Sequence, residues 1–367
     1  MSTALKDLYD KQFVSELNII IAENLPGFKP APFTKSIFNA EWQQLELKQR
    51  MHHIKAMLHE VLPSDFAKAA PILKGITTSI KKLHGDGMSF LYMFLPEYVA
   101  TYGLKHYKQS VQLLEQITQV TSAEFAVRPF IIQYPVAMMQ QMEVWSKHKS
   151  LYVRRLSSEG CRPRLPWGIG LPAFKKDPAS VLPILENLKN DSAETVRRSV
   201  ANNLNDIAKD HPELVLSLIK KWQGKSKNTD WIIKHGSRTL LRQGNLAAMS
   251  HFGNHKIKSA RIQNLISGKS VKIGNTLQFQ FDILHNEKQP VIMRVDYAIY
   301  YVKSAGKLSK KVFRLREGNF EPGKKYTITK NQHFKDLTTR KHFTGAHSLS
   351  IIVNGIELEK IQFNVLR

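Results

Sequence analysis

The sequence predicts a multidomain molecule, an all-α solenoid of stacked helix pairs followed by an all-β sandwich. Three observations carry this. Apolar residues recur at helical spacing up to about residue 250. Related helix openings return at intervals of 43 and 37 residues. Beyond Phe252 the apolar period shortens to that of a strand. A helix face repeats about every 3.6 residues and a half-buried strand every second one.

In chain order, Leu47, Met51, Ile54, Leu58 and Leu62 form the first clear helical stripe. Val196, Val200, Leu204 and Ile207 form a second, and Val215, Leu218, Ile219 and Trp222 a third. The connectors are short and carry helix punctuation: Pro63-Ser64-Asp65, Asp177-Pro178, Asn190-Asp191-Ser192 and His211-Pro212. Ser122-Ala123-Glu124-Phe125-Ala126-Val127-Arg128 parallels Ser192-Ala193-Glu194-Thr195-Val196-Arg197-Arg198. Leu151-Tyr152-Val153-Arg154-Arg155 and Asp230-Trp231-Ile232-Ile233-Lys234 are related openings. Each begins polar, continues apolar and ends basic. Val153 to Val196 is 43 residues and Val196 to Ile233 is 37, the range of a two-helix solenoid repeat. Stacking sets equivalent helices along one concave face, so a basic residue at each opening would line that face with positive charge.

The strands follow. Leu277, Phe279, Phe281 and Ile283 alternate within residues 272–285, and residues 291–302, 311–315, 324–329, 347–353 and 360–366 read similarly. Turns fit between them at Ser304-Ala305-Gly306-Lys307, Glu321-Pro322-Gly323 and Asn354-Gly355, the last a strong hairpin signal. About seven short strands in about 110 residues suggest an immunoglobulin-like sandwich. The polar hinge Gly253-Asn254-His255-Lys256-Ile257-Lys258 sets the expected domains at 1–253 and 254–367.

The formal net charge is +24 over 367 residues. Residues 254–367 hold 21 Lys/Arg against 8 Asp/Glu, which is +13 of that total. Self-repulsion of this size points to a polyanionic partner, with nucleic acid ahead of an anionic membrane surface. The single cysteine, Cys161, excludes an internal disulfide framework and a cysteine zinc site, and fits a reducing cytoplasm. The N-terminus has no apolar core of signal-peptide length, and the longest apolar run, residues 88–98, is broken by Pro96 and Glu97. Common enzyme signatures are missing: Gly168-Ile169-Gly170 runs into Leu171-Pro172, not a Rossmann turn. His52, His53, His59 and Glu60 share one helix, where solvated histidines explain them better than a metal does.

The densest chemistry lies in residues 152–167, with four arginines, one carboxylate and one tryptophan around a helix end that Gly160 and Pro163 are expected to enforce. Glu159 in the last turn opposes the helix dipole, which costs up to about 1 kcal/mol. Such broken rules mark functional sites, but pairing with Arg154, Arg155, Arg162 or Arg164 explains it equally. Asp206 falls beside the apolar stripe of its helix on the edge of Ser199, and Asn203 near the stripe's centre. Either acts in function or bonds to a neighbouring repeat. Trp167, held extended by flanking prolines, packs under a loop or forms an aromatic wall.

At these residues the sequence resembles the AlkC family of bacterial DNA glycosylases, relatives of AlkD with HEAT-like repeats. The resemblance rests on Val153-Arg154-Arg155-Leu156, Ser158-Glu159-Gly160 and Arg162-Pro163-Arg164-Leu165-Pro166-Trp167, and on Val196-Arg197 with Ser199-Val200-Ala201-Asn202-Asn203-Leu204-Asn205-Asp206-Ile207. The C-terminal part, with Asp336-Leu337-Thr338-Thr339-Arg340-Lys341-His342, looks like the immunoglobulin-like domain that a subset of the family carries. The resemblance implies a HEAT-like-repeat glycosylase domain and a DNA-gripping sandwich. It implies excision of cationic methylated bases, chiefly N3-methyladenine, with N3-methylcytosine and N1-methyladenine also possible substrates, on kinked DNA without base flipping. The implied catalytic set is Glu159, Asp206 and Trp167, with Glu124 as a fourth member. Arg154, Arg155, Arg162, Arg164, Arg197 and Lys234 would then hold phosphates beside the lesion. Lys307, Lys310, Lys311, Arg340, Lys341 and His342 would grip the duplex from the sandwich. The expected partner is double-stranded DNA containing alkylated bases, the expected form a cytoplasmic monomer, and no cofactor or metal is called for. Two alternatives stay open, a non-catalytic clamp for damaged DNA and a helical-repeat protein scaffold.

Overall fold

The computed structural model describes residues 4–87, 89–304, 306–337 and 341–367. Met88 of the apolar run, Ala305 of one turn, and Thr338, Thr339 and Arg340 of the sandwich motif lie outside them. Two compact units divide the chain. The first comprises Met1–Asp210 and Trp222–Gly236, the second His211–Lys221 and Ser237–Arg367. The last helix of the chain ends at His251 and the first strand begins at Arg261, on either side of the expected hinge.

The helices are α1 (Lys11–Asn24), α2 (Pro30–Ile37), α3 (Leu47–Val61), α4 (Phe66–His84), α5 (Phe94–Tyr102), α6 (Tyr107–Ile117), α7 (Val127–Gln133), α8 (Pro135–Trp145), α9 (Leu151–Gly160), α10 (Pro172–Lys176), α11 (Leu182–Leu188), α12 (Glu194–Ile207), α13 (Pro212–Trp222), α14 (Lys227–Gly236), α15 (Arg238–Gln243) and α16 (Leu246–His251). Local chemistry sets their starts. Asp10 accepts from the Phe13 amide at 2.8 Å, Asp65 from Ala67 at 2.9 Å, and Glu46 and Gln49 form a capping box on α3. Proline occupies the first turn of α2, α8, α10 and α11, where its missing N–H costs nothing.

The helical stripes face inward as their spacing requires: Met51, Ile54 and Leu58 on α3, and Val196, Val200, Leu204 and Ile207 on α12, are buried. α9 packs on α12, and α12 on α14, so the three openings at Val153, Val196 and Ile233 belong to helices stacked in sequence. Of the α3 histidines His52 is exposed as expected, while His53 and His59 are less solvated. His53 Nε2 lies 3.0 Å from the Ser36 carbonyl, and His59 stacks on Tyr102 with its Nδ1 2.9 Å from the Tyr98 hydroxyl. Among the described residues no group of three or more His, Cys, Asp or Glu is placed to hold a metal, and no helix is long and apolar enough to cross a membrane.

In the second unit eight strands form two sheets: β1 (Arg261–Ser267), β2 (Ser270–Lys272), β3 (Thr276–Leu284), β4 (Val291–Val302), β5 (Leu308–Phe320), β6 (Tyr326–His333), β7 (Gly345–Val353) and β8 (Ile356–Leu366). The sheet orders are β1-β3-β6 and β2-β8-β7-β4-β5, with β2–β8 as a parallel pair and the rest antiparallel. Leu277, Phe279, Phe281 and Ile283 of β3 meet Met293, Val295, Tyr297 and Ile299 of β4 and Leu349, Ile351 and Val353 of β7 in one core. The Asn354-Gly355 turn joins β7 to β8 with φ of 44° and 82°, the left-handed pair that a two-residue hairpin demands.

Two strand readings change. The stretch 272–285 splits into β2 and β3 because Gly274, at φ 100°, turns the chain between them. β1 gave no alternating signal because a bulge at Asn264, φ 53°, breaks its register against β3.

Candidate active site

α9 positions the first acid. Its Val153 and Leu156 are buried, and Glu159 follows Leu156 by three residues onto an inward edge, 6% exposed. Gly160 is the last helical residue, so the helix ends where the sequence reading put it, and the glycine has a second role. A Cβ there would meet Val127 Cγ2 at 2.5 Å, so the glycine is required for close approach of α7. Pro163 prevents further helix. Cys161 caps the end inertly, its thiol pushed up to about 12 by burial and donating to the Ser157 carbonyl at 3.0 Å.

Two buried side chains hold this corner in place. Arg128 of α7, 0% exposed, donates to the carbonyls of Gly160 at 2.8 Å, Arg162 at 2.9 Å and Ile169 at 2.6 Å. It therefore fixes both ends of the loop that carries Trp167. Burial pushes its guanidinium down to about 10. From α12, Asn203 donates to the Ser158 carbonyl at 2.8 Å, the inter-repeat bond that its place at the stripe's centre suggested.

Arg162 joins the acids. Its guanidinium donates to Glu159 Oε1 at 2.6 Å and to Asp206 Oδ2 at 3.0 Å, with all three side chains at most 8% exposed. Burial alone would lower its affinity for the proton, but Glu159 and Asp206 together hold its pKa above the ordinary value. Lys209 donates to the other Asp206 oxygen at 3.0 Å. Asp206 is thus compensated on both oxygens. Glu159 shares only Oε1, and among the described residues Oε2 has no hydrogen-bond partner. The sequence expectation for Arg162 was a phosphate contact. A side chain buried between two carboxylates is placed for a different task, holding like charges together.

A cleft of about 580 Å³ opens beside this corner. Glu124, Glu159, Arg162 and Trp167 line it together with Phe125, Lys48 and His52; Asp206 lies behind Arg162 and is not among the lining residues. Trp167 is 79% exposed, so it lines the cleft and is not packed under a loop; its backbone, at φ 66°, is left-handed and not the extended one expected from the flanking prolines. Glu124 lies just before α7 and accepts from Arg155 at 2.6 Å and from Ser122.

The remaining predicted cations are placed as follows. Arg154 grips Asp191 with two nitrogens, at 2.5 and 3.1 Å, and two carbonyls at the start of α9. Arg164 meets Asp210 at 2.6 Å, and Arg197 donates to the Asp191 and Ser192 carbonyls at 2.8 and 2.7 Å. Lys234 is exposed on α14. In the sandwich, Lys307 and Lys341 are exposed, Lys310 meets Glu357 at 2.9 Å, and Lys311 lies 5.3 Å over the Phe313 ring. His342 is corrected to a core residue. It is 7% exposed and packs against Phe334 and Tyr301, so its ring is not presented to a phosphate. Sequence reasoning missed Arg128, Phe125 and Lys48. Arg128 and Phe125 stood inside a quoted repeat opening, but nothing local reveals what they touch; Lys48 reaches Trp167 across 119 residues of chain.

The chain is similar to known proteins over its full length. The family described as DNA alkylation repair enzyme matches residues 97–240, and the family described as the YhaZ C-terminal Ig-like domain matches residues 262–367. The uncharacterized protein YhaZ of Bacillus subtilis is 42% identical, over 98% of this chain and 99% of that one. The solved structure of the Pseudomonas fluorescens alkylpurine DNA glycosylase AlkC, bound to DNA containing an abasic site analog, is 36% identical, with a TM-score of 0.90 and all of both chains covered.

Proposed function

The chain belongs to the DNA alkylation repair enzymes, DNA glycosylases of the AlkC/AlkD type with a C-terminal immunoglobulin-like domain, and from that premise we propose its reaction. It hydrolyses the N-glycosidic bond of cationic methylated bases in duplex DNA, chiefly N3-methyladenine, with N3-methylcytosine and N1-methyladenine as further substrates. Residues 1–253 form the glycosylase part and residues 254–367 the part that grips DNA.

The observation that carries this reading is the pair of acids tied by Arg162 beside an exposed indole. A positively charged base departs as a neutral molecule and needs no general acid. The deoxyribose it leaves gains oxocarbenium character. Glu159, with one oxygen unshared in the cleft, stabilises that charge and aligns the attacking water. Trp167 offers its π face to the same cation. Asp206 acts through Arg162 in the DNA-free protein, holding the guanidinium so that Glu159 keeps its direction. Glu124 is a further carboxylate in the cleft wall. These attractions grow as the bond breaks, which is the condition for catalysis. A normal base would leave as an anion with no proton donor, so the chemistry itself supplies selectivity. The exposed lysines of the sandwich bind backbone, and their contacts offset the cost of kinking, about 1–6 kcal/mol for a smooth bend. A kinked duplex would let the cleft reach the sugar without flipping.

The test is base release from duplex DNA containing N3-methyladenine under single-turnover conditions. Wild type is expected to release the base. Glu159→Gln and Asp206→Asn are each expected to slow release by roughly 10²–10³, the loss seen when a fixed electrostatic partner of a transition state is removed. Binding without release by wild type would favour the non-catalytic clamp. Full rates in both variants would remove these acids from the mechanism.

A further inference from the structure

The cleft already holds a cation, and it is the protein's own. Lys48, exposed on α3, places its Nζ 5.6 Å from the centroid of the Trp167 ring and 5.7 Å from that of Phe125. Both distances fall within the reach of a cation–π attraction, about 6 Å. The same Nζ donates to the Trp167 carbonyl at 3.2 Å. The carbonyl bond and the two rings together hold the Lys48 ammonium at the mouth of the loop, where the rings face a positive charge.

The local backbone is built for that site. Trp167 adopts φ 66°, a left-handed conformation that costs a non-glycine residue of order 1 kcal/mol or more. Next to it, a Cβ on Gly168 would stand 3.2 Å from Phe125 Cδ1, so the glycine lets the Phe125 ring come up directly under the loop. Arg128 pins the loop at Ile169. Glu124 and Glu159 line the same cleft, paired with Arg155 and Arg162.

We propose that Phe125 and Trp167 form a two-sided aromatic slot for a cation, which the Lys48 ammonium fills in the DNA-free protein and yields to the positively charged deoxyribose. The identity of the entering cation rests on the glycosylase reading; the slot and its resident do not. Lys48 is then a placeholder that competes with the sugar, and Phe125 is a further specificity-determining residue.

The experiment measures binding of the full chain to two duplexes that differ in one ring. One carries a protonated pyrrolidine in place of the deoxyribose, the other a neutral tetrahydrofuran. The wild type is expected to prefer the pyrrolidine duplex. Phe125→Leu is expected to narrow the preference by about 2- to 5-fold, the size of one partly exposed cation–π contact, and Phe125→Tyr to retain it. Lys48→Met is expected to widen the preference by a similar factor, because the resident competitor is gone. The proposal is overturned if Phe125→Leu leaves the ratio unchanged while its melting temperature matches wild type. It is also overturned if Lys48→Met weakens both duplexes equally and lowers the salt dependence, the mark of a phosphate ligand. Base release is read separately. A wild type that shows the preference but releases no base would sink the reaction and leave the slot standing.

Discussion

In the helical unit, Arg154, Arg155, Arg162 and Arg164 each meet a carboxylate at 2.5 or 2.6 Å. In the sandwich, Lys307 and Lys341 stand exposed, with no ion pair among the described residues. Both regions contribute to the same formal charge of +24. The guanidiniums organise the protein: Arg154 ties the start of α9 to Asp191, and Arg162 ties its end to α12. Their planar forks suit two partners at fixed angles, which is what joining repeats requires. The lysines, as compact solvated charges on flexible stems, suit a partner whose backbone varies in position. These four arginines are therefore less open to phosphate than Lys307 and Lys341 of the sandwich.

The largest test of this contrast is Arg162→Ala. It leaves Glu159 and Asp206 buried without their shared partner, and the expected loss of stability is about 3–5 kcal/mol. A urea midpoint would show it. The salt dependence of DNA binding should stay as in wild type; a slope smaller by about one would mean that Arg162 meets a phosphate after all.

Replacing Lys307 and Lys341 together by alanine should do the reverse. Stability should move by less than about 0.5 kcal/mol per site, as at most exposed positions, while the salt slope of binding falls by about two. An unchanged slope would remove the sandwich lysines from the DNA contact and erase the distinction between the two regions.

A smaller effect concerns pH. Burial of the His347 ring lowers its pKa from the ordinary 6.5, a shift that a bond to the Gly345 carbonyl only partly offsets. A depressed folded pKa gives stability that is complete above the unfolded value and is lost as pH falls through the folded one. The urea midpoint of the sandwich transition should therefore decline on acidification below about pH 6.5, and His347→Gln should flatten that decline. An identical slope in the variant would assign the acid sensitivity to other groups.

The periodic features were legible because they are local. The stripe on α3, the stripe on α12 and the alternation in β3 each report a face that must be buried, whatever it is buried against. The Asn354-Gly355 turn was readable because only a few residues accept its dihedral angles. β1 was invisible because its bulge cancels the alternation, and the close approach that Gly160 permits was hidden because helix termination favours the same residue. His342 looked like part of a basic loop, yet the aromatic rings around it are brought there by the fold of the sandwich.

The sequence by itself determined the two halves, their order and the recurrence of the helix openings, all set by spacing along the chain; Glu159, Trp167 and Asp206 were singled out by the resemblance to a family and not by spacing. Only the tertiary structure decided how the charges pair. Arg162 reaches Asp206 across 44 residues, Arg128 reaches Gly160 across 32, and Lys48 reaches Trp167 across 119. A charge in a sequence has a sign but no neighbour. Whether it faces phosphate, a carboxylate or an aromatic ring depends on which repeat is stacked beside it.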